Sequence, residues 1–277
     1  MTTELATRRN YLDGQRRMII ARSVVGSLAS ILPIPFIDDW AKEAVIGAGY
    51  KRIASLHGVD LDKKAVSALV HGTTNPPSLA EIAASGIVYR IAGMAAKRAL
   101  FAMATANRAR AASRTFVTMT LFDHYCTKLH TGIGLDGRTA LALRQEIEGA
   151  IAQTPGALGF APFRRGALGA IKATLRAPLE LADLATRGAL RRLLTRRDDV
   201  TEAEAVDALE ETIDSALSAK SNFFSRTVTA VEIQLSAEAN PYLDLALEAL
   251  DRRWRARTAA DKIPLTITDR SEPKKRP

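Results

Sequence analysis

The sequence predicts an all-α protein, a compact multi-helix bundle of about eight to nine helices that opens with an N-terminal helical hairpin. Three observations carry this expectation. Ala, Leu, Arg and Glu, which lose little freedom in a helix, dominate most windows of the 277 residues. No run of alternating β-branched residues bounded by a hairpin turn appears. Apolar positions recur at helical spacing between capping signals. The patterns cover residues 4–32, 38–56, 62–71, 78–106, 107–130, 138–153, 164–195, 201–238 with a break near Asn222, and 240–258.

The first two patterns enclose residues 23–39, an apolar run that ends in the double acid Asp38 and Asp39. Pro33 and Pro35 cannot continue a helix, and each pushes its predecessor toward extended geometry, so the chain turns there. Asp38 or Asp39 then caps the next helix, which runs to a left-handed terminus at Gly58. The run is shorter than the ~20 apolar residues that span a bilayer. Two placements remain open for this hairpin: buried in the core, or dipping into one leaflet without crossing.

Later helix starts carry their own chemistry. Ser78 with Glu81 and Thr201 with Glu204 have capping-box spacing, in which paired side chains satisfy free N–H groups of the first turn. Asn240 before Pro241 reads as an N-cap followed by proline at the first helical position, and Leu243, Leu247, Leu250 and Trp254 then share one face that should pack inward. His57 and His71 precede Gly58 and Gly72 as helix-terminal turn residues. Pro155, Gly156, Gly159 and Pro162 interrupt the helical pattern over 154–162, the best candidate for an internal boundary. No repeat of fixed length is visible. The organisation expected is one helical domain over 1–261 and a flexible basic tail over 262–277.

Composition narrows the partners. Thirty-nine basic against 30 acidic residues give a net charge of +9, which favours anionic surfaces. Aromatic residues make up 5% of the chain, too few for the stacking platforms of single-stranded nucleic-acid binders, so nucleic acid is a poor candidate. The single cysteine, Cys126, allows no internal disulfide and suits a reducing compartment. The first thirty residues mix acids and bases without a continuous apolar core, unlike a signal peptide, and a cytoplasmic location is expected.

Arg22, then Pro33-Ile34-Pro35-Phe36-Ile37-Asp38, then Lys51-Arg52-Ile53-Ala54-Ser55-Leu56-His57-Gly58-Val59-Asp60 resemble the signature of EcsC-like proteins and of a related GTPase-associated domain of unknown function. The resemblance covers residues 15–70, with Phe36 in place of a small residue and His57 in place of Tyr. It implies an α-helical, membrane-associated accessory protein with no assigned chemistry, and it supplies no catalytic residues.

Residues 164–197 hold nine bases (Arg164, Arg165, Lys172, Arg176, Arg187, Arg191, Arg192, Arg196, Arg197) against Glu180 and Asp183, a local net of +7. Leu168, Ile171, Leu175, Leu179, Ala182, Ala189 and Leu193 recur near helical spacing in the same stretch, so it is amphipathic, with a kink at Pro178. Arg164, Arg165, Lys172, Arg176, Arg187, Arg191 and Arg192 are the candidate contacts to an anionic membrane surface. The competing reading is a solvated face partly neutralised by the acidic stretch 201–217, which carries Glu202, Glu204, Asp207, Glu210, Glu211 and Asp214.

Two further strings invite chemistry. Gly132-Ile133-Gly134-Leu135-Asp136-Gly137 matches the dinucleotide-binding glycine pattern but lacks its strand-then-helix context, and a loop between helices accounts for it better. Asp123, Cys126 and His130 stand at i, i+3 and i+7 on the 107–130 pattern, where they would share a face, with His124 beside them. This is no standard metal motif, and a small buried thiol with capping or solvated histidines is the commoner arrangement. No metal, cofactor or catalytic centre is expected. The expectation is a non-enzymatic helical protein, peripheral on the inner face of the cytoplasmic membrane, partnered by that surface or by a membrane-complex protein. The alternative is a soluble interaction module or structural subunit acting as a homo- or hetero-oligomer.

Overall fold

The computed structural model describes residues 10–29, 43–74, 97–159, 161, 223–237 and 241–261. The hairpin apex Pro33, Pro35 and Asp38, the basic stretch 164–197, the acidic stretch 201–217, the capping boxes at Ser78 and Thr201, and the tail from residue 262 lie outside the described residues.

Among the described residues the protein is all-α, with seven α-helices. They are α1 (Asn10–Ala29), α2 (Ala48–Leu56, entered through a π-helical turn at Glu43–Gly47), α3 (Lys63–His71), α4 (Lys97–His124), α5 (Gly137–Gln153), α6 (Phe223–Ala237) and α7 (Pro241–Asp261). Seven falls short of the expected eight to nine for two reasons. The 164–195 pattern is outside the described residues, and the expected division of 78–106 from 107–130 does not exist. Helix α4 runs unbroken through Asn107 and continues as a π-helical turn to Leu129. No Pro or Gly interrupts that Ala-rich stretch, so nothing there ends the backbone ladder.

Terminal chemistry sets the other boundaries. Pro241 opens α7, where its missing N–H costs nothing. Gly58 and Gly72 hold the left-handed conformation that closes α2 and α3, with φ of 69° and 76°. The Asp62 carboxylate accepts from the Ala65 N–H at the start of α3, and Asp136 accepts from Thr139 N–H at the start of α5. The expected interruption near residue 155 is a 3₁₀ turn, Pro155–Leu158, laid against the Tyr242 ring of α7 so closely that a Cβ on Gly156 would sit 2.6 Å from it.

One cluster of buried residues takes side chains from all seven helices. Leu243, Leu247, Leu250 and Trp254 are all buried, so the α7 stripe faces inward as its spacing requires. The Tyr125 and Trp254 rings meet edge to face at 4.9 Å, joining α7 to the end of α4, and Tyr50 meets Phe122 the same way at 5.0 Å, joining α2.

A feature absent from the sequence expectations ties the middle of the chain together. Asp60–Leu61 and Gly134–Leu135 form a two-residue parallel bridge, with Asp60 opposite Gly134 and Leu61 opposite Leu135. The bridged segments are alike. Leu56-His57-Gly58-Val59-Asp60-Leu61-Asp62 precedes α3, and Leu129-His130-Thr131-Gly132-Ile133-Gly134-Leu135-Asp136 precedes α5. Each has a helix ending in Leu-His, a positive-φ glycine, an aliphatic residue, a bridge residue, Leu, and an aspartate that caps the next helix. The second copy is one residue longer, through Thr131. That insertion breaks any fixed period and hides the repeat from a linear reading.

The third glycine of the dinucleotide-like string is explained by packing. Gly137 starts α5 against α3, and a Cβ there would lie 2.7 Å from Lys64 Cβ and 3.2 Å from the Lys64 carbonyl carbon. Asp136 occupies the cap. The string is indeed a loop between helices, although its Gly134–Leu135 bridge brings it closer to strand geometry than expected.

Candidate functional site

The described titratable groups that lie nearest one another cluster where α4 ends. Asp123 and His124 are consecutive on that helix, so their side chains leave it about 100° apart. Each finds a different partner. His57, just past α2, donates from Nε2 to Asp123 Oδ1 at 2.6 Å, and His124 donates from Nε2 to Asp251 Oδ1 of α7 at 2.7 Å. Two His–Asp pairs thereby fasten α4 to an element on each side.

The first pair is asymmetric. Asp123 is wholly buried, whereas the His57 side chain keeps 24% of its surface in solvent. Asp123 Oδ2 is buried with no hydrogen-bond partner among the described residues. Burial raises the Asp123 pKa, opposed by the His57 hydrogen bond and by the charges of His57 and His124. The Thr127 hydroxyl lies 3.4 Å from His57 Nε2 but donates to the Asp123 carbonyl oxygen at 2.8 Å, a helix i−4 bond that keeps it engaged with the backbone.

The Asp123, Cys126 and His130 trio does not form the shared face expected of it. The helix ends at Leu129, and His130 turns off in extended geometry with φ −70° and ψ 137°. Its Nδ1 stands 3.2 Å from the Tyr125 hydroxyl, and burial holds its pKa below the ordinary histidine value. Burial and the neighbouring Asp123 charge push the Cys126 thiol well above its usual range, so it stays protonated and unreactive. Among the described residues, no three His, Cys, Asp or Glu side chains converge to hold a metal ion. His57, read from sequence as a turn residue, is that and also the hydrogen-bond partner of Asp123. The sequence signal was slight: a histidine beside a glycine, 66 positions from the aspartate it meets.

Arg22, the first residue of the EcsC-like pattern, is wholly buried on α1 and donates from Nη1 to the Val45 carbonyl oxygen at 3.0 Å. That carbonyl belongs to the π-helical turn before α2. Its neighbour Gly49 is required by packing, because a Cβ there would lie 2.8 Å from Arg22 Cδ and 2.7 Å from Met119 Cε. A second charged knot lies between α5 and α7, where Glu146 accepts from Arg257 at 2.8 Å and pairs with Arg253 at the same distance.

No family model, curated protein or solved structure matches the chain. A buried carboxylate orients an imidazole that is partly open to solvent; among the described residues beside it, the Thr127 hydroxyl is committed to the backbone and burial raises the pKa of the Cys126 thiol. The pairs act as cross-braces between helices.

Proposed function

We propose that this chain is a non-enzymatic helical protein that associates peripherally with the cytoplasmic face of a membrane through anionic headgroups. The observation that carries the reading is the local net charge of +7 over residues 164–197, superimposed on an amphipathic apolar stripe. Each basic residue near an anionic surface contributes ~1 kcal/mol, so a handful suffices for reversible recruitment. The resemblance of residues 15–70 to EcsC-like proteins points the same way. Among the described residues, no helix is long and apolar enough to cross a membrane.

The test is co-flotation with anionic and neutral vesicles at low and high salt. Binding to anionic vesicles that falls with salt, and by ~100-fold when Arg187, Arg191 and Arg192 are changed to Glu, is expected. Absence of binding at low salt sinks the proposal.

A second reading, a protein-interaction module acting through homo- or hetero-oligomerisation, draws on Ile233, Tyr242 and Leu245, large apolar side chains exposed on α6 and α7. A stable oligomer in light scattering, together with failure to bind vesicles, would favour it over membrane recruitment.

A further inference from the structure

The duplicated turn leaves one side chain in an unexpected place. In the first copy the aliphatic residue after the positive-φ glycine, Val59, is 5% exposed and belongs to the core. Its counterpart in the second copy, Ile133, is 82% exposed, the most exposed of the large apolar side chains described. A lone exposed aliphatic residue is ordinary. An aliphatic residue that the same motif buries in one copy and presents to water in the other is not, because the packing role it fills in the first copy is absent from the second.

The backbone beneath Ile133 is fixed. Its carbonyl oxygen accepts from Asp60 N–H at 2.7 Å, and the parallel bridge begins at the next residue. Gly132, at φ 113° with open space where a Cβ would stand, and Gly134 flank it, so the side chain projects from a narrow, anchored tip. On the adjoining turn Leu56 is 56% exposed.

Charge around the tip suits an anionic surface. Lys63 and Lys64 follow the first turn, and Lys128 and Arg138 border the second, all four exposed. The exposed acids are Asp60, Asp62 and Asp136, and two of these cap α3 and α5, where the positive ends of those helix dipoles offset them. The two turns thus carry four exposed bases against three exposed acids, and the flexible stems of the bases let them reach headgroups while Ile133 enters the boundary below them.

We propose that the Gly132-Ile133-Gly134 tip is an insertion point for an anionic bilayer, with Ile133 entering the headgroup–acyl boundary and Lys63, Lys64, Lys128 and Arg138 contacting headgroups. This rests on the peripheral-membrane reading and adds to it a second, apolar contact independent of residues 164–197.

The experiment uses the full chain and vesicles of phosphatidylcholine with and without phosphatidylserine at low salt. Because Cys126 is buried and protonated, an Ile133→Cys variant can be labelled at the new thiol with an environment-sensitive fluorophore. The expected result is a blue-shifted, brighter emission on anionic vesicles that spin-labelled lipid quenches, and about tenfold weaker partitioning of Ile133→Ser. Circular dichroism and melting of Ile133→Ser should match the parent, since the side chain is in solvent. If the parent chain binds but the label keeps its aqueous emission and Ile133→Ser partitions equally, the tip is refuted while recruitment through the basic stretch stands. If the parent chain does not bind, both are overturned.

Discussion

Changing Asp123 to Asn should stabilise the protein at neutral and higher pH and leave it nearly unchanged in acid. Asp123 is wholly buried, one carboxylate oxygen accepts from His57 at 2.6 Å, and the other has no partner among the described residues. Burial outweighs the attraction of the two histidines and raises its pKa. A carboxyl with a raised folded pKa binds its proton more tightly folded than unfolded. Its contribution to stability is therefore complete below the unfolded value of about 3.9 and is lost as pH rises through the folded one. Asn does not titrate, keeps an acceptor for His57 Nε2–H, and removes the buried charge. An unsatisfied buried polar group costs ~1–3 kcal/mol, and the Asn amide remains one, so a gain of about 1 kcal/mol near pH 8 is expected. For a protein of this size that is ~2 °C in Tm. Thermal melts of both proteins across about pH 4 to 9 read it directly. The gap should open as pH rises. A variant whose deficit grows as pH rises would show that Asp123 is instead held as a net favourable ion pair, and a gap independent of pH would show an unshifted pKa; either refutes the reasoning. His57→Ala supplies the cross-check. It strips the Asp123 carboxylate of the hydrogen-bond donor it has among the described residues and should cost ~1–3 kcal/mol, with part recovered in the double variant because the two residues share one interaction.

Two further outcomes test the paired turns. Gly137→Ala drives a Cβ into Lys64 Cβ and the adjoining backbone at the α3–α5 contact, and a loss of ~1–3 kcal/mol in urea denaturation is expected; an unchanged midpoint would show that α5 can shift away freely. Asp136→Ala removes the side chain that accepts from Thr139 N–H, and should lower stability by ~1 kcal/mol with faster amide exchange confined to the first turn of α5, whereas exchange unchanged there would refute the capping role.

Much of the described fold is local and was legible in the chain. Helix periodicity marked α1, α3, α5 and α7, Gly72 marked the end of α3, Pro241 the start of α7, and the α7 stripe named its own buried face, because each signal lies within one or two turns of backbone. The bases of 164–197 are legible as charge, which depends on composition alone, and they lie outside the described residues. Two local readings differ from the structure. The division of α4 near Asn107 had no breaker behind it, and the Asp123, Cys126 and His130 face assumed a helix that in fact stops at Leu129.

Helix class, the glycine ends at Gly58 and Gly72, and net charge thus follow from the sequence alone, since each is set by neighbours a few residues apart. Only the tertiary structure could bring His57 onto Asp123, 66 positions away, or His124 onto Asp251, 127 away. It also set Asp60 beside Gly134, revealing two like turns that Thr131 had put out of register. With that pairing it decided which of two equivalent aliphatic residues entered the core: Val59 is inside and Ile133 outside, and burial is a property of what packs around a side chain.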